Sequence, residues 1–152
     1  MRKIVVVLAL AVASVGHVGA ARTPSTKAEA RLVPLTIGTA TRKHVFKVEI
    51  ARTEAEQARG LMFRDRLAPD RGMIFPMVPA RYASFWMKNT LIPLDMVFIR
   101  SDGTIARIAA RTTPLSLAPV SSGEPVAAVL EIAGGRAEQL GISVDDKVVW
   151  PR

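Results

Sequence analysis

Residues 85–99 read FWMKNTLIPLDMVFI, and this stretch decides how the chain is interpreted. Every side chain in it is apolar or small except those of Lys88, Asn89 and Asp95. The apolar segments on either side of residues 89–93 predict two strands joined by a turn, because short apolar runs bounded by turn residues are typical of buried strands. The charged residues beside the turn then either neutralise one another or form the floor of a binding site.

Short apolar segments between turn residues continue on both sides of this stretch. Residues 44–50 alternate between apolar and charged side chains, which predicts a half-buried strand. Asp102-Gly103 predicts a hairpin turn, and the Pro/Ser/Gly-rich residues 112–125 predict a loop. The further predicted strands are residues 73–78, 83–88, 94–100, 104–110, 126–133 and 147–150.

Two short helices are predicted between these strands. Thr53 and Glu56 have the spacing of a capping box, which predicts a helix that begins there and ends near Arg59. A second helix is predicted at residues 136–140, and each helix is followed directly by a glycine that can cap it. Seven or eight short strands with two short helices predict a mainly β fold, either a compact jelly-roll-like sandwich or a partly closed barrel.

The N-terminus has the pattern of an export signal. Arg2 and Lys3 precede an apolar run over residues 4–15, and small residues before Ala21 predict cleavage there. We therefore predict a signal peptide at residues 1–20, a flexible leader at 21–32 and a single β-rich domain at 33–152. The protein is then exported, periplasmic or extracellular. The alternative is an uncleaved N-terminal membrane anchor.

Composition excludes several classes of function. The 152 residues contain no cysteine, and removal of the signal peptide leaves His44 as the only histidine. Thiol catalysis and the usual zinc sites are therefore not expected, and no cofactor-binding motif is present. The net charge of +8 comes from scattered residues without interleaved aromatics, so we predict no nucleic-acid binding, and contact with the membrane only through the export signal.

Six residues form the predicted binding site. Asp95 and Glu131 each lie inside an apolar run, where an unpaired carboxylate costs several kcal/mol. One interpretation is a structural network that fixes the register of the strands. The other is a pocket in which an aromatic wall and polar groups orient a sugar or an anionic small molecule. The predicted site residues are Arg64, Trp86, Lys88, Asn89, Asp95 and Glu131.

Several ordered motifs resemble the domain of unknown function 192 family. The motifs are RGLMFR at residues 59–64, GMIF at 72–75, FWMKNTLIPLD at 85–95, VLEIAGG at 129–135 and LGI at 140–142. The resemblance implies a compact jelly-roll-type β fold that is often exported or membrane-tethered, and it brings no established activity or catalytic residue. One departure is Asp145-Asp146, which stands where the family usually has a Gly-Asp step.

Three functional hypotheses follow. The first is a non-enzymatic exported module that binds a small molecule or an anionic envelope component. The second is a hydrolase-like enzyme that acts on an envelope glycan with Asp95 and Glu131 as its acid and base. The third is a structural envelope protein whose polar core residues only hold the fold.

Overall fold

The computed structural model describes residues 31–151. The predicted signal peptide and residues 21–30 of the predicted leader lie outside these residues. The elements are β1 (Val33–Gly38), β2 (Lys43–Ile50), α1 (Glu54–Arg59), β3 (Arg71–Phe85), β4 (Leu94–Ile99), β5 (Ile105–Thr112), β6 (Val120–Ala133), α2 (Arg136–Leu140) and β7 (Lys147–Val149). Within the described part of the chain, no helix is long and apolar enough to cross a membrane.

The seven strands form one curled sheet in the order β5-β4-β6-β3-β2-β1-β7. The β2–β3 pair is parallel and the other neighbours are antiparallel. The two ends of the sheet approach each other, because Thr104 forms a bridge with Lys147 and the Val148 amide donates to the Gly103 carbonyl at 2.8 Å. The prediction of a mainly β fold with two short helices is confirmed, and the sheet has the form of a half-barrel.

Each face of the sheet carries its own hydrophobic core. The inner core takes residues from all seven strands, and Ala137 of α2 and Ile142 close it at one end. The outer core lies over β3, β4 and β6 and is covered by the segment around Leu61. Both cores lie within residues 35–148, so a chain of residues 31–152 carries every member of the two cores that the structure describes.

Capping residues account for the bounds of the two helices. The Thr53 hydroxyl accepts from the Glu56 amide, and the Glu56 carboxylate accepts from the Thr53 amide, so the predicted capping box is confirmed. The hydrogen bond that the Glu56 carboxylate accepts from the Thr53 amide is the main reason why the pKa of Glu56 lies below its ordinary value. Helix α2 has the predicted bounds and is followed by Gly141 in the left-handed conformation.

Two predicted features of the strands are wrong. Strand β3 is one long strand, where separate strands at residues 73–78 and 83–88 were predicted. Strand β6 begins at Val120, within the predicted loop. The cause is a bulged pairing of the two distal halves, in which the Ala83 amide donates to the Ser122 hydroxyl at 3.0 Å. Side-chain polarity alone does not reveal such a pairing, since both segments are largely exposed.

Asp145 stands where the family usually has glycine, and the turn before β7 keeps the left-handed backbone that a glycine favours. Asp145 has φ of 71°, in the left-handed region where glycine is the usual residue and aspartate is tolerated. Its amide donates to the Ile105 carbonyl at 2.9 Å, and its carboxylate pairs with the Arg100 guanidinium at 2.9 Å. The aspartate thus adopts the backbone conformation that a glycine would take, and it adds an ion pair across the closure of the barrel.

Candidate functional site

A row of four residues crosses the outer face of the sheet and contains two acids. Pairing between strands places Glu49 on β2, Met73 on β3, Glu131 on β6 and Met96 on β4 side by side. Strands β3 and β6 lie so close here that a Cβ atom on Gly72 would be 2.5 Å from the Glu131 carbonyl oxygen. The pleat of the sheet, rather than a loop, therefore fixes the position of the Glu131 side chain.

Arg64 covers one acid of this row. Its guanidinium forms a bidentate pair with the Glu49 carboxylate, with N–O distances of 2.6 and 2.9 Å. This pairing raises the pKa of Arg64. Arg64 is therefore held by Glu49, which was not among the predicted site residues, and it acts on Glu131 only through its charge.

Glu131 is the second acid of the row and has a perturbed pKa. Only 5% of the residue is exposed, and its carboxyl group makes no hydrogen bond within residues 31–151. Burial raises the pKa of Glu131 from its ordinary 4.5 to about 8, although the nearby Arg64 charge opposes this change. At neutral pH, Glu131 is therefore a neutral carboxylic acid that can donate one hydrogen bond.

The Glu131 side chain lies at the base of an open cleft of about 410 Å³. Helix α1 and the Gly60 turn form one wall, and the distal half of β3 forms the other. Phe75, Met77 and Leu61 provide an apolar floor, and Phe75 and Phe85 pack edge to face with their ring centroids 5.1 Å apart. The cleft thus combines an apolar floor with one uncharged acid, a combination typical of small-molecule sites.

Exposed aromatic and cationic side chains surround this cleft. Trp86 and Tyr82 line it with much of their surface open to solvent, and the guanidinium groups of Arg59 and Arg81 belong to exposed residues of the lining. The Lys88 ammonium lies 5.2 Å from the centroid of the Trp86 ring. The prediction that Trp86 and Lys88 lie side by side is confirmed by this contact.

Asp95 lies elsewhere, in the inner core. It is fully buried, and its carboxylate accepts three backbone N–H groups, from Arg111, Gly135 and Ala137, each at 2.8 Å. Because α2 has no side-chain cap of its own, Asp95 satisfies the amides at the start of that helix. The interpretation that the charged residues beside the turn neutralise one another is wrong for Lys88 and Asp95: the Lys88 side chain is exposed, and all the hydrogen bonds that Asp95 makes are to backbone amides.

Asn89 has a local structural role. It adopts φ of 54°, its carbonyl accepts from the Phe63 amide at 2.8 Å, and its side-chain amide contacts the Met62 sulfur at 3.8 Å. Left-handed φ is commoner for asparagine than for bulkier residues. Asn89 therefore joins the turn after β3 to the segment after α1.

The six predicted site residues do not form one cluster. Trp86 and Glu131 line the cleft, and Lys88 contacts it through Trp86. Asp95 pairs with Ile132 on the inner face, whereas Glu131 pairs with Met96 on the outer face. Because the two carboxyl groups lie on opposite faces of the sheet, they cannot act together on one glycosidic bond. The acid–base pair of the hydrolase hypothesis is therefore wrong.

Three lining residues were missed or left outside the predicted site. Arg81 and Tyr82 fall between the predicted strands at residues 73–78 and 83–88, and Arg59 falls at the end of the first predicted helix. The sequence does contain a signal for Arg81 and Tyr82. They directly precede the predicted strand that carries Trp86, so they place a cation and an aromatic ring next to that tryptophan. Among residues 31–151, no group of three or more His, Asp or Glu side chains could hold a metal ion.

Three comparisons relate the chain to other proteins. The family model DUF192, described as an uncharacterized ACR, matches residues 35–150. A crystal structure of a protein of unknown function from Novosphingobium aromaticivorans DSM 12444 is 49% identical, with a TM-score of 0.77 over 78% of this chain and 85% of that chain. A putative transcription regulator from Sinorhizobium meliloti 1021 is 42% identical, with a TM-score of 0.76 over 78% of this chain and 93% of that chain. No curated protein matches the chain.

Proposed function

Since this chain belongs to the uncharacterised DUF192 family, whose name brings no activity, we propose from its own geometry that it is an exported, non-enzymatic module that binds a small anionic molecule. The observation that carries the proposal is the Glu131 carboxyl group, which lines an open cleft, belongs to a residue only 5% exposed, and makes no hydrogen bond to residues 31–151. Its hydrogen bonds must therefore come from what fills the cleft, which is water in the free protein and a ligand in the complex.

The lining of the cleft defines the chemistry of the ligand. Trp86 and Tyr82 offer flat apolar surface, so the ligand has a planar or apolar body that packs against them. Arg59 and Arg81 belong to the same lining and favour a negatively charged group, which a guanidinium binds with two parallel hydrogen bonds. An aromatic or aliphatic carboxylate, or a sugar acid, combines these features.

Glu131 acts in this proposal as a hydrogen-bond donor. With a pKa of about 8 it is neutral at pH 7, so it does not repel an anion and can donate its O–H to an oxygen of the ligand. Once the pH rises above about 8, the carboxylate form repels the same ligand. Affinity is therefore expected to fall with increasing pH, with the change centred near the pKa of Glu131.

Two other functions receive less support. The name of the Sinorhizobium relative does not carry over, because the helices in residues 31–151 have six and five residues and neither offers the length of a recognition helix. Hydrolysis by the two predicted carboxyl groups lacks a shared site, as their placement on opposite faces shows. The structural hypothesis accounts for Asp95, whose bonds are all internal, but it does not account for Glu131.

Export of the protein remains part of the proposal. Its support is the sequence of residues 1–20, with two cations before an apolar run and small residues at the expected cleavage point. A fusion of residues 1–32 to a reporter enzyme that is active only outside the cytoplasm tests it. Activity of the fusion, together with a mature N-terminus at Ala21, is the expected result, and a retained Met1 with no reporter activity contradicts it.

The binding proposal is tested with a chain of residues 31–152. A thermal-shift screen compares aromatic carboxylates, fatty acids and sugar acids with the corresponding neutral alcohols and sugars. We expect at least one class of anion to raise the melting temperature, and titration of the same anion to change the fluorescence of Trp86.

Arg81→Ala and Arg42→Ala provide a matched pair of variants for that ligand. Arg81 lines the cleft, whereas Arg42 lies in the exposed turn between β1 and β2. Arg81→Ala should weaken binding about tenfold or more, because hydrogen bonds to charged groups are worth about 1.5–3 kcal/mol. Equal affinities for the two variants, or a screen in which neutral and anionic compounds give the same shifts, contradict the proposal.

A further inference from the structure

Three connections meet at one end of the half-barrel and form what we call the loop face, defined as residues 61–66, 86–93 and 113–119. Backbone hydrogen bonds join them. The Phe63 amide donates to the Asn89 carbonyl at 2.8 Å, the Leu115 amide to the Thr90 carbonyl at 3.1 Å, and the Met87 amide to the Ser116 carbonyl at 2.9 Å. The loop face is therefore one continuous surface.

Large apolar side chains extend from this surface into solvent. Single exposed apolar residues are normal on any protein, but a group of them within one surface marks an interaction site. Five such residues on the loop face are at least half exposed: Phe63, Trp86, Leu91, Leu115 and Leu117.

Two of these residues are held in an unfavourable backbone conformation. Phe63 has φ of 63° and Leu115 has φ of 62°, although bulky residues rarely adopt the left-handed region. In both cases the backbone amide is fixed by the hydrogen bonds that join the loops. Such strain is concentrated at functional sites, and here it accompanies the exposure of a phenyl ring and an isobutyl group.

The charges around the apolar side chains are mostly positive. Within the three segments, Arg66 and Lys88 are exposed and form no ion pair within residues 31–151, Arg64 is paired with Glu49, and Asp65 is the one acid. Arg59 adds a further exposed cation just before the first segment. Lys88 lies over the Trp86 ring, so a cation and an amphipathic indole stand together. Tryptophan and basic residues in this combination are typical of the boundary between lipid headgroups and acyl chains.

We propose that the loop face docks onto the surface of a bilayer that contains anionic lipid, a second function that goes beyond ligand binding and shares Trp86 with the cleft. Phe63, Leu115 and Leu117 enter the region between headgroups and acyl chains, and the cations contact the headgroup phosphates. After removal of residues 1–20, which contain Arg2 and Lys3, 19 basic and 13 acidic residues remain, and this net charge of +6 draws the protein to the same surface over a longer range.

The charges favour a lipid surface over a second copy of the chain. A symmetric dimer through the loop face would place the same patch on both subunits, so Arg66 and Lys88 of each would approach the same cations of the other. Like charges brought together across an interface are destabilising, whereas an anionic bilayer complements them.

Vesicle flotation with residues 31–152 tests this proposal. The probes are mixed phosphatidylcholine–phosphatidylglycerol vesicles and pure phosphatidylcholine vesicles, each at low and high salt. We expect the protein to float with the mixed vesicles at low salt, to bind the neutral vesicles at least tenfold more weakly, and to dissociate as salt is added, since binding depends on attraction to anionic headgroups.

The variants Phe63→Asn and Leu115→Asn test the apolar contacts while they protect the fold. Asparagine is well suited to the left-handed conformation at both positions, so the variants remain folded and only lose their apolar side chains. Val144→Asn is the matched control, because Val144 is about half exposed in the loop beside the β7 closure, at the opposite end of the barrel. The double variant should bind the mixed vesicles about tenfold or more weakly, and the control should bind like the parent.

Fluorescence locates the contact on the protein. In a Trp150→Phe background, brominated lipid should quench the emission of Trp86 on the mixed vesicles. Flotation without this quenching, unchanged binding by the double variant, or no binding to the mixed vesicles overturns the proposal. A parent chain that ignores vesicles and dimerises, with dimerisation abolished by the same double variant, also overturns it and assigns the loop face to self-association.

Discussion

Replacement of Glu131 by glutamine should make the protein more stable at neutral pH and should remove part of its dependence on pH. The folded-state pKa of Glu131 is raised to about 8 from an ordinary value of 4.5, mainly by burial. Between these two pH values the unfolded chain loses the proton of Glu131 and the folded chain keeps it. The stability contributed by this residue is therefore fully present below about pH 4.5, falls as the pH rises, and is lost at about pH 8.

The size of this effect follows from the pKa difference. Each pH unit within that range lowers the free energy of unfolding by about 1.4 kcal/mol. At pH 7, the glutamine variant should consequently be more stable than the wild type by about 3 kcal/mol, since glutamine occupies nearly the same volume and has no proton to lose.

Urea unfolding of residues 31–152, followed by far-UV circular dichroism, measures the difference. The gain from Glu131→Gln should grow steadily between about pH 5 and pH 8 and then level off. Glu54→Gln is the control, because Glu54 lies on the exposed surface of α1, where a substitution changes stability by less than about 0.5 kcal/mol. A gain that is the same at every pH, or a glutamine variant less stable than the wild type at pH 7, would refute the reasoning.

Three further substitutions test contacts within the sheet and its inner core by thermal or urea unfolding. Asp95→Asn should cost about 3–5 kcal/mol, because the buried amide cannot accept all three backbone N–H groups; a loss below about 1 kcal/mol would contradict the role of this carboxylate. Gly72→Ala should cost about 2 kcal/mol or more, since its Cβ would lie 2.5 Å from a backbone oxygen, whereas Gly38→Ala meets its nearest atom at 3.9 Å and should be close to neutral. Arg64→Met should cost about 2 kcal/mol by leaving the half-buried Glu49 carboxylate unpaired, and Glu49→Gln in the same chain should recover much of this loss.

Local sequence patterns were sufficient to predict most of the elements. The capping box at Thr53 and Glu56 placed α1, and the apolar residues and glycine around Arg136–Leu140 placed α2 with its observed bounds. Both signals act within a few residues of the chain, so no knowledge of the tertiary structure is needed. The distal half of β3 was missed for the opposite reason, because it becomes a strand only through pairing with a polar segment about 40 residues later.

The sequence predicted only part of the candidate site, because it does not show which groups pair with each buried charged side chain. Alternation along β6 shows that Glu131 shares a face with Val129, but it does not reveal that Arg64 is occupied by Glu49. Asp95 was expected to need a partner, and its partners are three backbone amides, one 16 residues away and two about 40 residues away, which carry no side-chain signal. Contacts between distant segments therefore decide which of two buried acids is satisfied internally and which faces a cleft.

The closure of the half-barrel by β7 has a consequence for biosynthesis. This strand of three residues pairs with β1, near the start of the domain, and its neighbourhood also bonds to the turn between β4 and β5. Until Val149 has left the ribosome, the nascent chain has no partner for the open edge of β1, and the inner core lacks Val148. The domain therefore acquires its final cooperativity only after β7 has been synthesised, and a chain that ends before β7 exposes the unpaired edge of β1 to its neighbours.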